Sequence, residues 1–207
     1  LNRGARFEPV ALPLEAQAAP VFAVNVGDFD GDGFEDLFLG QNFFGSGSDL
    51  TRDDGGRGLW VRGTGQGRFE AVDGSLSGIR ILGEQRGAAV CDFNRDARAD
   101  LAVAQNNGAV CLLENRRGRP GLRVSLRGPP GNPDGVGARL RVIYAGDRTG
   151  PCRIIQAGSG YWSQDASTQV LGLRERPAGL WIRWAGGKEQ TVSLKPSDRH
   201  VRVDFEP

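Results

Sequence analysis

Two short acidic runs stand out for the spacing of their oxygens. The first reads Asp28-Phe29-Asp30-Gly31-Asp32-Gly33-Phe34-Glu35-Asp36, and the second reads Asp92-Phe93-Asn94-Arg95-Asp96-Ala97-Arg98-Ala99-Asp100. In each, side-chain oxygens fall at loop positions 1, 3, 5 and 9. That spacing lets one tight loop turn four carboxylate or amide groups inward around a hard cation. The backbone carbonyl at position 7, from Phe34 or Arg98, adds a fifth oxygen. Calcium takes roughly six to eight oxygens, so water completes the shell. The competing reading is an Asp/Gly turn that binds nothing, because Asp bonds its own backbone and Gly supplies positive φ. The second loop departs from the first. Asn94 replaces an acid, Ala97 stands where Gly is expected, and Arg95 and Arg98 lie within it with side chains free to point outward.

The elements that must position these loops read as strands. Val21 to Val26 and Leu37-Phe38-Leu39 flank the first loop; Ala88 to Cys91 and Leu101 to Ala104 flank the second. Short apolar runs bounded by Gly and Asp read as buried strands, so each unit is strand, loop, strand. An EF-hand is excluded: it sits between helices and needs Glu at position 12, where this chain has Leu39 and Val103.

The loops begin 64 residues apart, and Gly40-Gln41-Asn42 after the first is echoed by Ala104-Gln105-Asn106 after the second. A period of this size with several short strands suggests propeller blades or a related array. The pattern resembles the FG-GAP/VCBS repeats of integrin α-like propellers. That resemblance implies calcium held by Asp28, Asp30, Asp32, Phe34 (carbonyl) and Asp36, and a second ion held by Asp92, Asn94, Asp96, Arg98 (carbonyl) and Asp100.

From about Gly121 the chain changes character. Gly135 to Leu140, Gln156 to Gln164, Val170 to Leu173 and Leu180 to Gly187 are similar, in order and spacing, to the ASPIC/UnbV domain that commonly follows VCBS repeats. Two departures stand in it: Ala185 follows Trp184 where that family usually has Pro, and Leu171-Gly172-Leu173-Arg174 replaces Phe-Gly-Leu-Gly. The expected architecture is all-β. Residues 1–118 form two partial β-propeller repeats with calcium loops. Residues 119–207 form a small ASPIC/UnbV-like β-sandwich or barrel, with alternating strands at Leu122 to Leu126, Ala138 to Tyr144, Arg153 to Gln156, Leu180 to Trp184 and His200 to Phe205. Arg116-Arg117-Gly118-Arg119-Pro120 is the linker, read as a solvated hinge rather than a phosphate patch.

Three further segments carry expectations. Arg6 to Val10 is strand-like and finishes a preceding blade, because Arg68 to Val72 repeats the phrase before the second unit. Residues 45–58 form a polar loop. Gly158-Ser159-Gly160 bends tightly beside packed Tyr161 and Trp162.

A formal net charge of +1 gives no field that calls for nucleic acid or an anionic membrane. No run of about 18 apolar residues exists to span a bilayer. With 32 glycines and no collagen period, turn-rich β structure follows. The three cysteines are expected as buried free thiols, since Cys91 and Cys111 fall on strands one and three of one unit. The chain has no Met and starts at Leu1, and two blades do not close a propeller, so the remaining blades are expected upstream.

Catalytic machinery is thin. The single histidine, His200, has no evident partner, and no G-x-S-x-G elbow surrounds a serine. Glu84 and Asp165 remain as a formal acid pair, and Tyr161, Trp162, Trp181 and Trp184 could stack on sugars or pack in cores. The leading expectation is a calcium-binding, non-catalytic module for recognition or adhesion. It would be secreted, periplasmic or on the cell surface, and would meet an extracellular protein or glycan ligand. The alternatives are an enzyme or enzyme accessory in glycan or secondary-metabolite processing, and a purely structural terminal cap.

Overall fold

Short apolar runs around the acidic loops and period-two alternation in the later strands make nearly every regular element of this chain a strand. The computed structural model describes residues 1–45 and 53–206. The first sheet is an antiparallel meander of β1 (Val21–Gly27), β2 (Asp36–Gln41), β3 (Leu59–Gly63) and β4 (Phe69–Val72), in the order β1-β2-β3-β4. The second repeats the first three strands of that plan: β5 (Glu84–Cys91), β6 (Asp100–Asn106) and β7 (Cys111–Leu113), in the order β5-β6-β7. Both acidic loops are hairpin connections, closing Gly27 onto Asp36 and Cys91 onto Asp100.

The two sheets meet through β1 and β5 and share one core. Ala23, Phe38, Ala88, Leu101 and Val103 fill it, with Phe29 reaching in from the first loop and Ala99 from the second. The other face of the first sheet, at Leu39, Leu59 and Val61, is covered by Ala16 from a short turn at Leu14–Gln17.

A second core belongs to the later strands. These are β8 (Leu122–Arg127), β9 (Arg139–Ile143), β10 (Arg153–Ile154), β11 (Gln169–Leu171), β12 (Gly179–Arg183), β13 (Glu189–Ser193) and β14 (His200–Asp204). One sheet runs β10-β9-β12-β13; the other runs β11-β8-β14, with β14 parallel to β8. Leu122, Val124, Leu140, Val142, Leu180 and Ile182 alternate inward from β8, β9 and β12 to form this core. Trp184 closes it, edge-on to Phe205 at 5.2 Å between ring centroids. This is a two-sheet sandwich, not a closed barrel.

Several expectations are corrected. Arg6 to Val10 is not a strand among the described residues: Asn2 and Phe7 make an isolated bridge, and Phe7 is 83% exposed. The related phrase at Arg68 to Val72 is β4, which completes the first sheet against β3. The short helix α1 (Gly74–Ser77), capped by Asp73, and strand β13 carried no clear sequence signal. Trp162 is 91% exposed rather than packed, and stacks on Tyr161. The three cysteines are free thiols as expected, but Cys91 and Cys111 are half-buried and Cys152 is exposed. In the polar loop, residues 46–52 lie outside the described residues.

Candidate metal centre

An Asx-type loop builds itself from its own carboxylates. Asp28 Oδ1 accepts from the N–H of Gly31 at 2.7 Å and of Asp32 at 3.1 Å, and its Oδ2 accepts from Gly33 at 2.7 Å. Asp30 accepts from Asp32, and Asp32 accepts from Phe34. At the end of the loop, Asp36 Oδ2 accepts from Phe29 N at 3.0 Å and from Trp60 Nε1 at 3.1 Å, while Oδ1 accepts from Gly63 N at 2.8 Å. Loop position 9 is thus tied to β3 as well as to the loop's own start.

The second loop repeats the design. Asp92 accepts from the N–H groups of Asp96 and Ala97; Asn94 accepts from Asp96; Asp96 accepts from Arg98. Asp100 accepts from Phe93 N and Asn115 N, as Asp36 does from Phe29 and Gly63. The backbone repeats too. Gly31 and Gly33 take φ of 72° and 87°, and the matching Arg95 and Ala97 take 62° and 63°. Glycine adopts this left-handed region without penalty, whereas Ala and Arg do so at a cost.

The two loops part company in their side chains. In the first, one oxygen each from Asp28, Asp30 and Asp36 lies within 4.8 Å of the others, with Asp28 and Asp36 buried. Asp32 stands outside that triad. Among the described residues, none of these four acids is paired with a Lys or Arg. Burial, with neighbouring carboxylates adding to it, pushes the Asp28 carboxyl up to about 7; burial likewise pushes Asp36 up to about 6. Three hard oxygen donors around one buried point suit a calcium-class cation.

In the second loop no such triad forms among the described residues. Arg98 Nη1 donates to Asp96 Oδ2 at 2.9 Å, so this arginine points inward. Arg123 of β8 sets its Nε 3.1 Å from Asp92 Oδ2, an ion pair without hydrogen-bond alignment. The Asn94 amide also donates to Asp96 Oδ2. Arg95 is exposed.

The later strands press on the first loop. Arg174 Nε donates to Gly33 O at 3.0 Å, and its guanidinium lies 4.0 Å from the centre of the Phe34 ring. Arg119 N donates to Asp30 O. Arg153 forms a forked ion pair with Glu35 and donates to Val26 O. Beside the loop, a cavity of about 380 Å³ opens between the two sheets. Phe29, Trp60, Ile79, Leu101 and Leu113 give it an apolar lining, and Asp30 stands at its edge.

Sequence reasoning found the acids but missed Trp60, Gly63, Arg123 and the cavity, all of which reach the loops from distant positions. Arg98 was visible, but its direction was not. The two acids of the formal pair are engaged by different groups: Glu84 is buried and bonds Phe44 N, Arg86 and Asn106, while Asp165 accepts from Asn25 and Val90 N. His200 is exposed at the start of β14.

This geometry defines an all-β protein with a repeated Asx-loop hairpin and a terminal sandwich. Residues 128–206 match the protein family described as ASPIC and UnbV. Over nearly its whole length the chain is similar to cartilage acidic protein 1. It is 26% identical to the Xenopus tropicalis protein over 214 residues, covering 99% of this chain and 31% of that protein. It is 28% identical to the Mus musculus protein over 206 residues, covering 97% of this chain and 31% of that protein. The chain therefore spans about a third of the length of the curated relatives it matches.

Proposed function

We propose that this chain is a calcium-ordered, non-catalytic extracellular recognition module, with the ion held in the first loop by Asp28, Asp30 and Asp36. Asp32 and the Phe34 carbonyl complete the protein's share of the shell. The observation that carries the reading is the carboxylate triad within 4.8 Å at a buried point, with burial opposing its ionisation. A cation relieves both the burial cost and the mutual repulsion. The FG-GAP/VCBS resemblance of residues 1–118, as repeats to which upstream blades would add, agrees with this reading.

Calcium is abundant outside cells, where modules of this kind bind at roughly 10⁻⁴–10⁻³ M. The name of the relatives, cartilage acidic protein 1, supports a secreted or cell-surface setting. No helix among the described residues is long and apolar enough to cross a membrane. The recognition role is supported by the 380 Å³ cavity beside Asp30, whose size and apolar lining suit a side chain or small group of a protein or glycan ligand.

The test is calorimetric titration of the metal-stripped chain with calcium, beside the Asp28→Asn variant. Binding near the millimolar range with a raised melting temperature is expected for the wild type and lost in the variant. Equal heats and equal melting in both would refute the site.

A further inference from the structure

We infer that the second loop is held by Arg98 and Arg123 in place of a cation, so that the chain takes one calcium ion rather than two. Both loops share their backbone course, their left-handed residues at positions 4 and 6 and their Asx hydrogen bonds. A common backbone requires a common solution to the charge of converging acids. The first loop keeps that problem open, with its triad unpaired among the described residues. The second solves it with protein groups.

Each acid of the second loop is accounted for. Asp96 Oδ2 receives Arg98 Nη1 and the Asn94 amide; Asp96 Oδ1 receives the Arg98 N–H. Asp92 Oδ2 receives the Ala97 N–H and faces Arg123 at 3.1 Å, with the Asp92 side chain 1% exposed. Asn94 turns its Oδ1 to Asp96 N, which leaves its amide hydrogens, not an oxygen, toward the other acids. Asp100 keeps the same two kinds of backbone donor, Phe93 N and Asn115 N, that Asp36 has in the first loop, so the difference between the loops lies at Asp92, Asn94 and Asp96. Two guanidiniums and an amide thus stand where a metal would need open lone pairs, and the donor set of Asp92, Asn94, Asp96, Arg98 and Asp100 does not fit calcium.

The arginines also do what an ion cannot: they tie the loop to the sandwich. Arg123 belongs to β8, Arg98 Nε donates to Gly118 O, and Gly121 N donates to Ala97 O at 2.8 Å. The junction between the second sheet and the sandwich therefore stays ordered when calcium is withdrawn. Only the first-loop side of that junction responds to the ion. This contrast rests on the reading that the first loop binds calcium; the arginine pairing does not.

The experiment counts calcium ions bound to the chain, by titration with calcium chloride, and pairs each count with melts in calcium and in chelator. The expected counts are one for wild type, none for Asp28→Asn, and one for Asp96→Asn, whose side chain is partly exposed and whose loss leaves the fold intact. Arg98→Gln and Arg123→Gln are expected to lower the melting temperature by the same amount with and without calcium. Two ions on the wild type, or one that survives Asp28→Asn and disappears in Asp96→Asn, overturns the inference. So do arginine variants that melt like wild type in chelator. No ion on any form overturns the first-loop reading, and with it the count of one, while agreeing with an arginine-held second loop.

Discussion

Gly172 of the terminal sandwich lies directly on Asp28 of the first loop: a Cβ placed on Gly172 would fall 1.4 Å from Asp28 Oδ2. No side chain other than hydrogen fits there without displacing the carboxylate. Gly172 follows β11 at once, so the sandwich core and the candidate metal site share a wall.

The consequence is a mutation far in sequence from the loop that acts on it. Gly172→Ala must push Asp28 away from Gly31, Gly33 and the triad. Loss of a supporting contact of this kind typically costs 10–100-fold in metal affinity, so calcium affinity is expected to fall by about that factor. Leu140→Ala, in the sandwich core, should destabilise by about 2–5 kcal/mol through its cavity while leaving the ion's affinity in the folded protein unchanged. Calcium titration of both variants below their melting temperatures checks the contrast; equal affinity in Gly172→Ala and wild type would disprove the shared wall.

The raised carboxyls set a pH dependence. Asp28 sits at about 7 and Asp36 at about 6 in the folded chain, against about 3.8 when unfolded. The folded state then binds more protons, so the stability these groups supply is complete below about pH 4 and is lost as pH rises through 6 to 7. In chelator, the melting temperature should fall between pH 5 and pH 8. In saturating calcium the ion favours the ionised acids and the fall should flatten or reverse. Melts of Asp28→Asn in chelator should show a shallower slope; a slope as steep as wild type's would remove Asp28 as its source.

Backbone strain separates the two loops. Gly33 has φ of 87°, and a Cβ there would meet Arg174 Cγ at 2.3 Å and Arg174 N at 2.8 Å. Gly33→Ala combines left-handed strain of roughly 1–2 kcal/mol with that clash, and a loss of at least about 2 kcal/mol is expected. At the matching position Ala97 already takes φ of 63° while 1% exposed. Ala97→Gly relieves strain but gives up a buried methyl and adds chain entropy in the unfolded state, so the net change should stay within about 0.5 kcal/mol. Chemical denaturation measures both, and a large stabilisation by Ala97→Gly would mean that its methyl contributes nothing.

The loops were legible because their requirements are local. Side-chain oxygens at positions 1, 3, 5 and 9 are readable within nine residues, and short apolar runs bounded by Gly and Asp marked β1, β2, β5 and β6. The sandwich strands were legible for the same reason: Leu122, Val124 and Leu126 alternate whatever they face. The rest depends on pairings that no local window contains. Arg6 to Val10 has the composition of β4, but a strand needs a partner strand: β4 has β3, whereas Phe7 makes only an isolated bridge to Asn2. Arg123 is one of many arginines until β8 brings it to Asp92. Trp162 looks like a core residue by type, yet it is exposed and stacks on Tyr161.

Trp60 is the most testable of these long-range contributions. Its indole Nε1 donates to Asp36 Oδ2, and its ring meets Phe29 edge-on at 6.5 Å on the wall of the cavity. Trp60→Phe keeps most of the ring contact and removes the donor. A hydrogen bond to an ionised carboxylate contributes about 1.5–3 kcal/mol, and this one favours the charged form of Asp36. The variant should therefore raise Asp36 further, weaken calcium binding and steepen the fall in stability from pH 5 to pH 8 in chelator. Trp60→Phe can also lower stability through repacking alone, which would leave the pH slope unchanged. Slope, rather than melting temperature at one pH, decides between the two, and an unchanged slope would show that Asp36 is held by Gly63 and Phe29 without the indole.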